Sequence, residues 1–274
     1  MNTWNEVVNA QILNHIDAVK KTTQPLLDIF GIDYFTYHRI DKEGRYTVLL
    51  DRPDWAEHYV TQKLYKQDPY LQHADAYTSG FCLVDMYGSI AYKELILIEG
   101  SKFNLDFGIT LIQKNDKDVE FFGFAGSKDN SALNKLYLNH QPLLISFASH
   151  FKEQHSATLQ HLSDGAPSLE ILKGKKLEKR PMQMQLGEES HHSFLKALGM
   201  HQQIKQAYLL SHREKLCLQW LIKGKSSKET ASRMGISPRT VESYFENIKN
   251  KLSCWSKNEI FDIAKNLSFL GLLP

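Results

Sequence analysis

Residues 210–252 read LSHREKLCLQWLIKGKSSKETASRMGISPRTVESYFENIKNKL, and their spacing predicts three helices separated by two glycine turns. Ser211 with Glu214 three residues later forms a capping box that opens the first helix. Leu216, Leu218, Leu221 and Ile222 are its expected inward residues, and Gly224 ends it as a left-handed C-cap residue does. Ser226 or Ser227 caps a second helix whose Thr230, Ala231 and Met234 turn inward, and Gly235 stops it. Ser237 caps the third, with Pro238 at the first helical position, where its missing N–H costs nothing. Val241, Phe245, Ile248 and Leu252 then recur at i, i+4, i+7 and i+11, one apolar stripe. Two short helices joined by a glycine-containing turn describe a helix-turn-helix, whose second helix enters the DNA major groove. Its outward face holds Arg239, Glu242, Ser243 and Glu246, and Lys249, Asn250 and Lys251 continue toward the flanking backbone. An ordinary three-helix bundle with a solvated charged face has the same periodicity.

Charge separates this end from the rest. From Gln206 to Pro274 eleven Lys and Arg face six Asp and Glu, a net of +5; with +2 over all 274 residues, the remainder carries −3. A basic end on a mildly acidic body suits a chain in which one domain meets a polyanion. The length points to two domains, and a hydrophobic share of 42% with a charged share of 23% gives a globular balance rather than a disordered one. No run reaches the ~18–20 apolar residues of a membrane span, and the first twenty residues are too polar for a signal peptide. Cys82, Cys217 and Cys254 are odd in number and far apart, giving neither a disulfide framework nor a metal knuckle. The expectation is a soluble, reduced, cytoplasmic protein without membrane contact.

The first 155 residues read as an α+β domain, an antiparallel sheet flanked by helices in an α/β/α sandwich. Trp4, Val7, Val8, Ile12, Ile16 and Val19 have helical spacing over 4–20. DYFTYHRI (33–40) and RYTVLLD (45–51) form a hairpin about the DKEG turn, and 106–113 with 119–126 form a second. Residues 54–66, with Trp55 and Tyr59 four apart on one face, and 130–153 are helical. Residues 156–205, polar and without sustained period over 163–193, are expected to be a linker or insertion, with 194–209 helical where they lead into the C-terminal domain, 206–274. The histidines are scattered, so no metal site is expected. No nucleophile–base grouping or GxSxG elbow points to an enzyme.

The 210–252 stretch resembles the DNA-binding domain of LuxR-type transcriptional regulators. The opening LSxRE, the GKSSKE turn, the A-x-x-x-GIS core and the third helix from Thr240-Val241 to Lys251-Leu252 match in order and spacing. The resemblance implies a four-helix bundle, its last helix following the cap Ser256 and packing on a twin, so that a homodimer reads pseudo-palindromic double-stranded DNA. It implies that Lys225, Ser237, Arg239 and Thr240 hold phosphates or groove edges, and that Glu242, Ser243 and Glu246 face bases. Many relatives carry a basic residue in place of Glu242 or Glu246, and His in place of Tyr244. Glutamates there can accept from cytosine N4 amino groups. RNA polymerase is a further partner the resemblance suggests.

Residues 1–155 resemble the autoinducer (acyl-homoserine-lactone) binding domain that often accompanies such a C-terminus. A phosphorylatable receiver would instead open on a short apolar strand. Trp55 and Tyr59 in W-x-x-x-Y spacing, then Asp68-Pro69, match the pocket motif, and Gly108 matches a sheet glycine. The resemblance implies that Asp68 accepts the ligand's amide N–H and that Trp55 donates to the lactone carbonyl. Three positions depart: Leu83 where a second tryptophan is expected, Asp51 where a tyrosine precedes Trp55 by four, and Ile112 in place of a proline. These departures leave open an acyl-homoserine lactone, another small apolar ligand, or a ligand-free domain that meets DNA only with a protein partner.

Overall fold

The aromatic and β-branched runs form one five-stranded antiparallel sheet in the computed structural model, which describes residues 3–83, 90–127, 129–130, 132–179 and 187–274. Its strands are β1 (Tyr34–Asp41), β2 (Tyr46–Leu50), β3 (Gly80–Leu83), β4 (Phe107–Lys114) and β5 (Asp118–Gly126), in the order β2-β1-β5-β4-β3. Both expected hairpins are present, and β5 joins them by pairing with β1 and β4. The sheet belongs to the first of two compact units, residues 1–184 and 185–274.

Because side chains alternate along a strand, each strand feeds two different faces. Phe35, Tyr37, Leu49, Ile109, Leu111, Phe122 and Phe124 point to one face. It is covered by α2 (Ile16–Phe30), α5 (Ala132–Asn139), α6 (Gln141–Gln154) and α7 (Ser156–Asp164) through Val19, Leu26, Leu133, Leu144, Phe151 and Leu159. The single helix expected at 130–153 is two: Pro142 lies in the first turn of α6, where a missing N–H is tolerated, and the break falls at His140. The opposite face carries Ile40, Tyr46, Val48, Leu50, Ile112 and Phe121. It meets α1 (Trp4–Val7), α3 (Pro53–Thr61) and the loop from Leu64 to Tyr77; α4 (Ile90–Ser101) follows β3.

The expected N-terminal helix, 4–20, is irregular over 8–15 and continues to Phe30. Its irregular stretch runs beside β2, an edge strand, and satisfies that edge. The Gln11 amide donates to Tyr46 O at 3.4 Å and its carbonyl accepts from Val48 N at 2.7 Å.

Residues 156–205 are not a bare linker. Residues 156–179 fold onto the first unit, as α7 and then a strap ending in α8 (Leu169–Lys173) and an extended tail. Leu169 and Leu172, three apart, are buried beneath the strap together with Lys173, while Glu170, Lys175 and Lys176 are exposed, which is why composition alone reads as polar. Main-chain bonds fasten it: Tyr46 N to Pro167 O, Leu169 N to Gly44 O and His73 N to Glu178 O. The indole of Trp4 adds a bond to Leu172 O at 2.9 Å.

Residues 187–205 join the second unit, where α9 (Glu188–Ala197) and α10 (His201–Leu209) replace the single helix expected at 194–209 and break at Gly199, φ +77°. Leu195, Ile204 and Ala207 enter one core with α11 (His212–Ile222), α12 (Ser227–Met234), α13 (Pro238–Leu252) and α14 (Lys257–Phe269). The caps fall where the sequence puts them. Ser211 with Glu214 and Ser226 with Glu229 close capping boxes, Ser237 accepts from Thr240 N, and Ser256 accepts from Glu259 N. The buried residues of α11 are Glu214, Cys217, Leu218 and Leu221, so Leu216 and Ile222 sit at the margin of the core instead of its centre.

Candidate functional site

The first unit holds a partly open cavity of about 490 Å³ between the sheet and α1, α3 and α4, within the size range of small-molecule pockets. Its emptiness follows from register. Thr36 lies opposite Gly123, Gly123 opposite Thr110, and Gly108 opposite Ala125, so three neighbouring strands present only small side chains at one spot. Gly123 has no alternative there: a Cβ would approach Thr36 Cγ2 to 2.7 Å.

The helical wall brings together Trp55 and Tyr59 of α3 with Asp68, Tyr70 and Leu71 of the following loop. Tyr59 OH donates to Asp68 Oδ2 at 2.5 Å, and Oδ1 accepts from Tyr70 N at 2.7 Å. The Asp68 carboxylate is thereby held at the cavity surface by one phenol and one main-chain N–H. From behind, Lys173 of the strap donates to Asp68 O at 3.1 Å and to Leu71 O at 2.7 Å, tying down both ends of that loop. Burial, partly offset by Asp68, pulls the Lys173 pKa down to about 8. Trp4 packs edge-on against Tyr46 and Tyr59, with ring centroids 5.7 and 6.4 Å away.

The sheet wall is polar in one place. Tyr34, Thr36 and His38 of β1 and Tyr46 of β2 all line the cavity. His38 joins Thr36 Oγ1 through Nε2 at 2.8 Å and Tyr46 OH through Nδ1. Burial drives the His38 pKa down to about 4, so the ring is neutral near pH 7. Burial likewise raises the Tyr34 and Tyr46 hydroxyls above their ordinary value.

In the second unit, α13 leaves one face to solvent. Arg239, Glu242, Ser243, Glu246 and Asn250 are exposed, as is Ser237 at the cap, while Lys225, Thr240 and Lys249 are half-buried. Ser243 Oγ donates to Arg239 O at 3.0 Å, Lys249 pairs with Glu246 at 2.7 Å, and Lys225 pairs with Glu229 at 3.3 Å. Behind that face, Lys251 reaches Glu214 Oε2 at 2.7 Å. Burial works to raise the Glu214 pKa, but the bonds from Lys251 and Ser211 outweigh it and hold the carboxyl below its usual range. The helix therefore stands on an ion pair to α11 as well as on Val241, Ile248 and Leu252.

Residues 15–154, just over half the chain, match the family model of the autoinducer binding domain, and residues 208–264 match that of the bacterial regulatory proteins of the luxR family. The chain is a LuxR-type transcription regulator. It aligns with solved structures of Escherichia coli SdiA. One, in space group P6522, is 16% identical over 100% of this chain and 93% of that one, with a TM-score of 0.38. Another, SdiA in complex with octanoyl-rac-glycerol, is 16% identical over 98% and 91%, with a TM-score of 0.33. CepR2 from Burkholderia cenocepacia, described as an N-acylhomoserine lactone dependent LuxR family transcription factor, is 11% identical over 57% of this chain and 96% of its own, with a TM-score of 0.36.

Within this LuxR-type chain, Trp55, Tyr59, Asp68, Leu83 and Gly108 all border the cavity. Asp51, at the family's tyrosine position, does not. Its carboxylate accepts from Phe35 N at 2.9 Å on the filled side of the sheet, and burial raises its pKa to about 6. Ile112 is fully buried in the core instead of bordering the cavity. Trp4, Tyr34, Thr36, His38, Tyr46 and Lys173 were missed as site residues. For the three on β1 a signal existed: Tyr34, Thr36 and His38 sit at i, i+2 and i+4, which fixes them on one face. Lys173 gave none.

Proposed function

We propose that this regulator binds duplex DNA as a homodimer through α13 and is controlled by a small, largely apolar amphiphile in the cavity, an acyl-homoserine lactone or a molecule of similar outline. The observation that carries the reading is the convergence of Trp55, Tyr59 and Asp68 on one largely apolar pocket. A carboxylate in such surroundings must be matched by donors, and an amide N–H is a neutral donor that a small amphiphile brings with it. Asp68 then accepts that N–H, Trp55 donates to the head-group carbonyl, and Leu83 borders the ligand where a bulkier ring is usual. Expression in a lactone-free host, followed by native mass spectrometry with and without added lactones, tests this. Retention of a lactone or of another small molecule supports the pocket, and a bare chain under both conditions refutes ligand control in favour of a protein partner.

On DNA, Lys225, Ser237, Arg239, Thr240, Lys249 and Asn250 serve phosphates and groove edges, while Glu242, Ser243 and Glu246 face bases. Glu246 is engaged by Lys249 and the Ser243 hydroxyl by Arg239 O, whereas Glu242 has no ion-pair partner among the described residues. Glu242 is therefore the best placed to accept from a cytosine amino group. Arg239→Ala is expected to weaken operator binding by ~1–3 kcal/mol if the guanidinium spans a base edge. A gel-shift titration with unchanged affinity would remove Arg239 from the interface. Trp255 and Phe269, 88% and 89% exposed beside and within α14, are large apolar groups that a twin would cover. Action on RNA polymerase in the cytoplasm completes the proposal. Among the described residues no helix is long and apolar enough to cross a membrane.

A further inference from the structure

Residues 165–179 lie outside both family matches, the first ending at 154 and the second beginning at 208, yet this strap backs the cavity on three of its walls. Pro167 O accepts from Tyr46 N on β2, and Leu172 O accepts from the Trp4 indole of α1. Lys173 Nζ donates to Asp68 O and Leu71 O in the loop after α3. Trp4, Tyr46, Asp68 and Leu71 line the cavity, whereas the strap residues do not. The strap is an outer layer that grips the cavity-lining residues from behind. Its own hold is slight: of its fifteen residues the buried apolar ones are Pro167, Leu169 and Leu172, and Ile171 is exposed. A segment with so few buried contacts opens before the core does.

Lys173 makes that opening depend on the loop. Its amine is buried, and both of its acceptors belong to residues 68–71. If the loop swings away, the amine keeps its burial and loses its acceptors, an arrangement so unfavourable that loop and strap leave together. From the cavity side the same loop is held by Tyr59 OH on Asp68 Oδ2. We infer that the Asp68 loop and the strap dock as one unit, with Lys173 as the positioning residue between them, so that an occupant resting on the loop also fastens the strap. This rests on the cavity being a ligand pocket. The coupling is reciprocal, and the fastened strap holds the occupant more tightly by the same factor. Its outcome is chain length. With the strap docked, the nine residues 179–187 join its last main-chain bond, at Glu178, to α9 and reach at most about 32 Å. Released after α7, the 23 residues 165–187 reach at most about 83 Å. A tether longer than the span it must cross lowers the effective concentration of one DNA-binding unit of a dimer at the other's half-site, so loss of the occupant weakens paired binding.

Hydrogen exchange on the full chain reads the coupling amide by amide. Protein from a lactone-free host is compared with and without N-octanoyl-homoserine lactone, whose binding native mass spectrometry scores separately. Leu169 N and His73 N bond to Gly44 O and Glu178 O where the strap meets the rest of the unit. Both are expected to exchange at least ten-fold more slowly with lactone bound. In Lys173→Met the slowing should vanish and lactone affinity should fall by the same factor. Bound lactone with unchanged exchange at both amides overturns the coupled unit and leaves the pocket intact. Slowing or affinity that survives undiminished in Lys173→Met overturns it too. If no lactone binds, that ligand reading fails, and Tyr59→Phe decides the coupling without a ligand. It removes the bond to Asp68 on the cavity side, so Leu169 N should exchange at least five-fold faster while Phe122 N, on the solid face, stays at its parental rate. Leu169 N unchanged in Tyr59→Phe overturns the coupled unit.

Discussion

The two faces of the sheet in the first unit are built from alternate residues of the same strands, yet one is solid and the other borders a cavity of about 490 Å³. Both are apolar. They differ in where bulk is placed: the solid face puts Phe35, Phe122 and Phe124 on adjacent strands β1 and β5, and the hollow face puts Thr36, Gly123 and Thr110 at the corresponding place. A cavity in a sheet domain is thus a matter of side-chain volume at two or three registered positions, and no departure from regular strand geometry is required.

The largest expected effect lies on the solid side. Phe122 is fully buried and packs on Tyr37 with ring centroids 5.3 Å apart. Phe122→Ala should cost about 3–5 kcal/mol, because neighbouring rings cannot collapse into the space. Urea unfolding at equilibrium reads it directly. A loss below about 1 kcal/mol would mean that this face is as loosely filled as the other.

Next comes Asp51, a buried carboxylate on that side. Burial raises Asp51 to about 6 against an ordinary value near 4, so the folded chain binds its proton more tightly than the unfolded chain does. The contribution is therefore most favourable below pH 4 and is lost as pH rises to about 6. It amounts to on the order of 2–3 kcal/mol. Asp51→Asn keeps an oxygen for Phe35 N and removes the titration. The difference in stability between variant and parent should grow in the variant's favour from pH 4 to pH 7. A flat difference would show the carboxylate reaching water.

The C-terminal unit was legible because its signals are local. A capping box spans four residues, and Ser211, Ser226, Ser237 and Ser256 each cap within three residues of themselves. Trp55, Tyr59 and Asp68 were legible through resemblance, being close in sequence as well as in space. The rest of the pocket was not, since Trp4, Tyr46 and Lys173 meet the shared face of Tyr34, Thr36 and His38 only after strand register and the strap are fixed. The strap itself was hidden by length. Leu169 and Leu172 amount to one helical turn, too little for a periodic signal among lysines and glutamates.

That strap offers a smaller test on the hollow side. Lys173→Met keeps the aliphatic stem but leaves Asp68 O and Leu71 O without their donor, which should cost about 1–3 kcal/mol. Burial lowers the Lys173 pKa to about 8, so the folded chain releases this proton more readily than the unfolded chain. Its contribution improves as pH rises from about 8 toward the ordinary lysine range, a trend the methionine variant should lack in parallel denaturation series.

The smallest expected change in stability separates the two faces most cleanly. Ala125 lines the cavity on β5, beside Gly108 and Tyr34, and Ala125→Leu adds three carbons to empty space instead of to a packed core. On the solid face an insertion of that size typically costs 1–3 kcal/mol. Here the added contact offsets the lost rotamer freedom, and the net should lie within about 1 kcal/mol of zero. Ligand retention, by contrast, should fall sharply, because the leucine occupies volume the ligand needs. A variant that unfolds at the parental urea concentration yet emerges from a ligand-supplemented host without its small molecule would show that the hollow face is kept open for occupancy and not for folding. A variant destabilised as much as a core insertion would mean that the cavity closes when empty, and that ligand and side chain compete for a space the fold does not hold open by itself.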